Sequence, residues 1–83
     1  MRNPEALPLH LAKKGSLLRV VQVPDGTSKA QLIRLGILQG EMVRCLEKLP
    51  GGTVVLEKNR QEIAIGVSLA RTILVVTISP DQS

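Results

Sequence analysis

The sequence predicts a mainly β domain: a small barrel of about five strands with one short helix. Three observations point there. Val and Ile recur from residue 17 to residue 78, and β-branched side chains favour strands. Short apolar–polar alternations are separated by turns rich in Pro and Gly. Phe, Tyr and Trp are absent, so the core must be assembled from Leu, Ile, Val, Ala and Met. At 83 residues there is room for one domain, which we place at 7–78 between loose tails at 1–6 and 79–83.

The elements follow in order. In "LPLHLAKKG", Leu7, Leu9 and Leu11 alternate around Pro8 and His10, an extended lead-in or one short turn that Gly15 ends. "SLLRVVQVP" (16–24) is a strand with apolar side chains on both faces and a bulge near Val21–Gln22, closed by Pro24. "DGTSKAQLIRLG" is a helix of two to three turns. Thr27 or Ser28 is expected to cap it, with Ser28 and Gln31 forming a capping box. Leu32 and Leu35 lie on one face. Gly36 takes positive φ at the C-terminus, and Ile37 folds back over the last turn.

Strands resume at Glu41. "EMVRCLEKL" puts Val43 and Cys45 on one face, and Arg44 and Leu46 on the other. "PGG" (50–52) turns the chain into "TVVLEK", and "NRQ" (59–61) turns it into "EIAIG", where Ile63 and Ile65 share a face. "VSLART" is one helical turn. "ILVVTI" is the last strand, stopped by Ser79–Pro80. A sheet this small cannot leave one face bare. Curling into an SH3-like barrel removes its edges and encloses one core.

Little here points to chemistry. Gly36 and Gly40 punctuate a helix end and a strand start; they match neither the P-loop nor the dinucleotide-turn spacing. Cys45 sits mid-strand among apolar neighbours and reads as a small core residue. His10 is the single histidine, and with one Cys and scattered carboxylates it makes no metal-ligand spacing. No catalytic, cofactor-binding or metal site is therefore expected. Glu41, Glu47, Glu57 and Glu62 are expected to pair across strands with Lys or Arg. The net charge of +4 is spread along the chain as a mixed-sign surface. Nucleic-acid binding would have to rest on phosphate contacts, since there are no aromatic rings on which bases stack. One cysteine excludes an internal disulfide, and no leader or membrane-length apolar run is visible. A reducing cytoplasm is the expected compartment.

The pattern resembles the FeoA family, the small cytosolic component of bacterial ferrous iron transport. "AQLIRLGILQGEMVRCL" carries it through Leu32, Leu35, Gly36, Ile37, Gly40 and Val43. "EIAIGVSLARTILV" carries it through Ile63, Ala64, Ile65, Leu69, Ala70, Ile73 and Val75, and Gly15 and Val20 fit the opening strand. The chain departs from the family at Gln39, where proline is usual, and at Gly66, where arginine is common. The resemblance implies an SH3-like barrel without catalytic residues or cofactor. It also implies a regulatory or assembly role with FeoB, a membrane transporter bearing a G-protein-like domain. Lys29, Arg34 and Arg44, the basic residues nearest the pattern, are the candidate partner contacts. The same barrel occurs as the C-terminal domain of metal-dependent repressors resembling the diphtheria toxin repressor. A stand-alone relative of that domain is thus one alternative, and a basic nucleic-acid-binding barrel is the other. Without a winged-helix segment, the chain is expected to be the transport accessory.

Overall fold

The computed structural model describes residues 5–79, so most of both expected tails, 1–4 and 80–83, lies outside the described residues. Along the chain run β1 (Leu7–Pro8), a 3-10 turn (Leu9–Leu11), β2 (Leu17–Gln22), α1 (Thr27–Leu35), β3 (Met42–Lys48), β4 (Val54–Lys58), β5 (Gln61–Ile65), α2 (Val67–Ala70) and β6 (Leu74–Ser79). The six strands make one antiparallel sheet in the order β1-β6-β2-β3-β4-β5. The fold is the mainly β, SH3-like arrangement with one short helix that the sequence predicts, with the two-residue β1 as an additional strand.

Alternation sets the inner face. Leu18 and Val20 of β2, Val43 and Cys45 of β3, Val54 and Leu56 of β4, Ile65 of β5 and Val75 of β6 are all buried. The register of β2 on β6 slips between Val20 and Gln22, where the sequence predicts a bulge. The same pairing also slips between Leu17 and Leu18, and a third slip lies on β3 between Cys45 and Glu47.

Closure is the first correction. The sheet does not close into a barrel: β1 and β5 stand at opposite ends of the strand order and do not pair. The core is sealed by other means. Leu9 of the 3-10 turn, Leu32 of α1 and Ala70 of α2 all bury their side chains in the same cluster as the strands. With helical turns plugging the openings, a closed hydrogen-bond ring is not needed to exclude water.

The second correction is the helix start. Neither Thr27 nor Ser28 caps α1, and no capping box forms with Gln31. Gly26 holds the N-cap position at φ 82°, ψ −147°, a backbone conformation that glycine alone adopts with ease. Its carbonyl accepts the Lys29 amide at 3.1 Å, which leaves Thr27 and Ser28 inside the first turn.

The C-terminus follows expectation. Gly36 is left-handed at φ 79°, ψ 18°. Its amide donates to the Ile33 carbonyl at 3.0 Å, and the Ile37 amide donates to the Leu32 carbonyl at 2.9 Å. That pair of bonds is a Schellman motif, and its hydrophobic clasp is Leu32 against Ile37, both fully buried. A side chain on Gly36 would meet the Lys58 ammonium at 3.1 Å, the movable end of a flexible chain. The cost of substitution is thus mainly backbone strain. Gly36→Val should destabilise the domain by about 1–2 kcal/mol, and Gly36→Asn by less. Chemical denaturation checks this; midpoints unchanged from wild type would show that the left-handed cap is not needed.

Ion pairing is the third correction. Glu57 faces Arg44 across β3–β4 and Glu62 across β4–β5, yet among the described residues none of Glu47, Glu57 and Glu62 forms an ion pair. Glu41 does pair with a lysine as expected, Lys58 at 3.4 Å, so the correction concerns the other three glutamates. The Arg44 guanidinium is engaged elsewhere, donating from Nη1 to the Gly15 carbonyl at 2.8 Å.

Candidate interaction surface

Helix α1 is short and turns only Leu32 fully into the core. Its C-terminal turn overhangs the junction of β5 and α2, and the two enclose an open groove of about 550 Å³. Gln31, Arg34 and Leu35 form one wall; Ala64, Gly66 and Leu69 are on the other. The sequence puts Leu32 and Leu35 on one face, but the structure divides their work. Leu32 is fully buried, whereas Leu35 keeps 40% of its surface exposed because it lines the groove.

Among the described residues Arg34 is the one charged side chain lining this groove, and it is exposed. The remainder is mostly apolar, with the neutral polar side chains of Gln31 and Ser68 among it. Arg44 lies elsewhere. It lines a second, shallower cavity of about 240 Å³ with Leu17, Met42, Lys58 and Arg60. Lys29 is exposed on the first half of α1 and lines neither. The three candidate contacts are therefore not one patch. Arg44 is half-buried and pinned to Gly15, which makes it a strut between β3 and the turn before β2.

The glycine–leucine pattern serves the fold. Gly15, at φ 89°, donates its amide to the Cys45 carbonyl at 2.6 Å. Gly40, at φ 95°, donates to the Val20 carbonyl at 2.7 Å and so leads the chain into β3. Ile37 and Ala70 are core. The residues that sequence reasoning missed as a surface are Ala64, Gly66 and Leu69. Ala64 and Leu69 belong to the family pattern, but nothing in their spacing says that α1 passes beside them.

Reactive groups are few. Cys45 is fully buried, and burial holds its thiol above the usual pKa. The charge of Lys48 and a backbone hydrogen bond at Glu47 pull the other way. In the folded protein Cys45 should react with a thiol reagent at least about a hundredfold more slowly than in denaturant. Fast labelling of the native protein would overturn its core assignment. The unfolded thiol ionises first as pH rises past about 8.5, so above that value the unfolded state binds fewer protons and stability falls. Cys45→Ala should remove that contribution while costing about 1 kcal/mol near neutral pH. His10 has a buried Nδ1 without a hydrogen-bond partner among the described residues. Among the described residues no three His, Cys, Asp or Glu side chains converge as a metal site, and no helix is long and apolar enough to cross a membrane.

The family model of the FeoA domain matches residues 7–77. No curated protein sequence gives a match. Solved structures do. The chain is similar to a crystal structure of an iron uptake regulatory protein (FeoA), at 25% identity and a TM-score of 0.81, over 89% of this chain and 100% of that one. It superposes on the FeoA-like protein of Clostridium acetobutylicum with a TM-score of 0.81, over 99% of this chain and 96% of that one; at 19% identity that likeness is one of fold. It is also similar to the manganese-activated repressor ScaR in its apo form, at 28% identity and a TM-score of 0.80, over 87% of this chain but 35% of the repressor.

Proposed function

The chain belongs to the FeoA domain family, and from that premise we propose that it is a cytoplasmic accessory of ferrous iron transport, docking on the cytosolic side of a FeoB-like transporter and setting its activity without catalysing a reaction. The observation that carries the reading is the family match across residues 7–77. The groove beside α1 supports it. An apolar surface with a single guanidinium suits a protein contact better than it suits acid–base chemistry, which needs convergent titratable groups.

Deleting the gene and measuring uptake of ferrous iron under iron limitation tests this. Uptake should fall several-fold and return when the chain is supplied in trans. Undiminished uptake in the deletion strain would sink the transport reading.

The similarity to the manganese-activated repressor favours one second reading, that of a relative of the repressors' C-terminal domain. In that case deletion changes metal-dependent transcription and leaves the rate of ferrous uptake per transporter unaltered.

A further inference from the structure

Strand β5 ends the sheet, so among the described residues one of its edges has no partner. The β4–β5 turn is made by Asn59 and Arg60, both at positive φ (53° and 67°), between the paired residues Lys58 and Gln61. A two-residue turn of this kind makes the flanking pair a hydrogen-bonded one. Hydrogen-bonded and non-bonded pairs then alternate along the ladder. Gln61, Ile63 and Ile65 therefore point their backbone groups at β4, and Glu62 and Ala64 point theirs outward at the free edge. Ala64 also lines the groove beside α1, and its methyl leaves that edge open to close approach. The unpaired edge and the groove are thus one continuous surface, with Arg34 as the charged residue that lines the groove among the described residues.

We propose that this surface binds an extended, acidic segment of a partner protein, which adds to β5 as a further antiparallel or parallel strand. The backbone of Glu62 and Ala64 supplies the strand pairing. Side chains two residues apart on the incoming segment rest against Leu35 and Leu69, and a carboxylate meets Arg34. Charge complementarity sets the pattern of the occupant: its carboxylate belongs beside Arg34 on the groove wall and away from Glu62, exposed on β5, while the net charge of +4 disfavours a basic peptide and a second copy of this chain. The site rests on the docking role proposed above and gives it a location.

The test uses the full chain and a phage-displayed library of random ten-residue peptides. Enriched sequences should alternate apolar residues with Asp or Glu. The strongest binder, titrated into the ¹⁵N-labelled chain, should shift the amides of Glu62 and Ala64 and slow their hydrogen exchange roughly tenfold or more. Ala64→Pro deletes the outward N–H and leaves the β4 ladder whole, which an edge strand tolerates. It should weaken binding roughly tenfold. Arg34→Glu, on the exposed face of α1, should weaken the acidic peptide about fivefold and carries the test should Ala64→Pro not fold. The proposal is overturned by an absence of acidic–apolar enrichment, by shifts that map away from β5, by a folded Ala64→Pro that binds undiminished, or by a concentration-dependent dimer formed through β5. Ferrous uptake separates this from the wider reading. If the wild-type chain and Ala64→Pro restore uptake equally, the docking role stands and the β5 site falls. If neither the deletion nor its rescue affects uptake, the transport reading falls and the peptide titration still judges the site.

Discussion

Gly52→Ala should lower the melting temperature by roughly 10–25 °C, equivalent to about 2–4 kcal/mol in a domain of this size. Two costs combine. Gly52 sits at φ 99°, in the left-handed half of backbone space that an L side chain rarely enters. A Cβ built there would also lie 2.8 Å from Cγ2 and 2.9 Å from Cβ of Val67. Rotating Val67 relieves the first contact but not the second, because its Cβ is fixed to the α2 backbone. Either the β3–β4 turn or α2 must move. Gly51 is the built-in control: it sits at φ 92°, and a methyl added to it would meet nothing within 4 Å. Gly51→Ala should therefore cost only the strain, about 1 kcal/mol. Thermal melts of the two variants isolate the steric part. Equal melting temperatures would show that α2 does not press on the turn.

Leu32→Ala should be of similar or greater severity, about 2–5 kcal/mol. The side chain is fully buried and is the single core residue contributed by α1. A nine-residue helix is too short to hold itself together in water, so its persistence depends on that anchor. The variant should lose hydrogen-exchange protection first at the amides of Gly36 and Ile37, whose bonds close the helix. Ile33→Ala, one position along and 52% exposed, should change the melt by little more than its helix propensity. A Leu32→Ala protein with wild-type stability and protected Gly36 and Ile37 amides would mean that α1 is held by something other than its core contact.

What the sequence made legible was local. Alternation marked Val43 and Cys45, and Ile63 and Ile65, because a strand's side-chain period is imposed by its own backbone. The Gly36 cap was legible for the same reason: the left-handed turn and its clasp of Leu32 on Ile37 lie within six residues. The helix start misled because Ser28 and Gln31 satisfy a capping box by spacing alone, while the choice was made by the φ and ψ of Gly26. Barrel closure misled because it depends on how far apart β1 and β5 end, which no local pattern records. The groove was hidden likewise. Leu35 and Leu69 meet the same cavity from segments far apart in sequence, and each reads alone as an ordinary apolar residue. Arg44 read as a surface charge because nothing near it in sequence announces the Gly15 carbonyl.

The position of β6 has a consequence for biosynthesis. It lies between β1 and β2 in the sheet, though both are made long before it. The β3–β4–β5 meander can assemble from neighbouring segments as it leaves the ribosome. The first two strands cannot: β1 has no other partner in the sheet, and one edge of β2 stays open until β6 arrives. Leu9 then waits as well, since its amide bonds to the Ile73 carbonyl immediately before β6. Completion of the fold is therefore post-translational with respect to this domain, and a nascent chain stalled before Leu74 displays an unpaired β2 edge flanked by apolar side chains. Such an edge is a template for association with other chains, so translational arrest in that window should yield aggregates rather than a smaller stable domain.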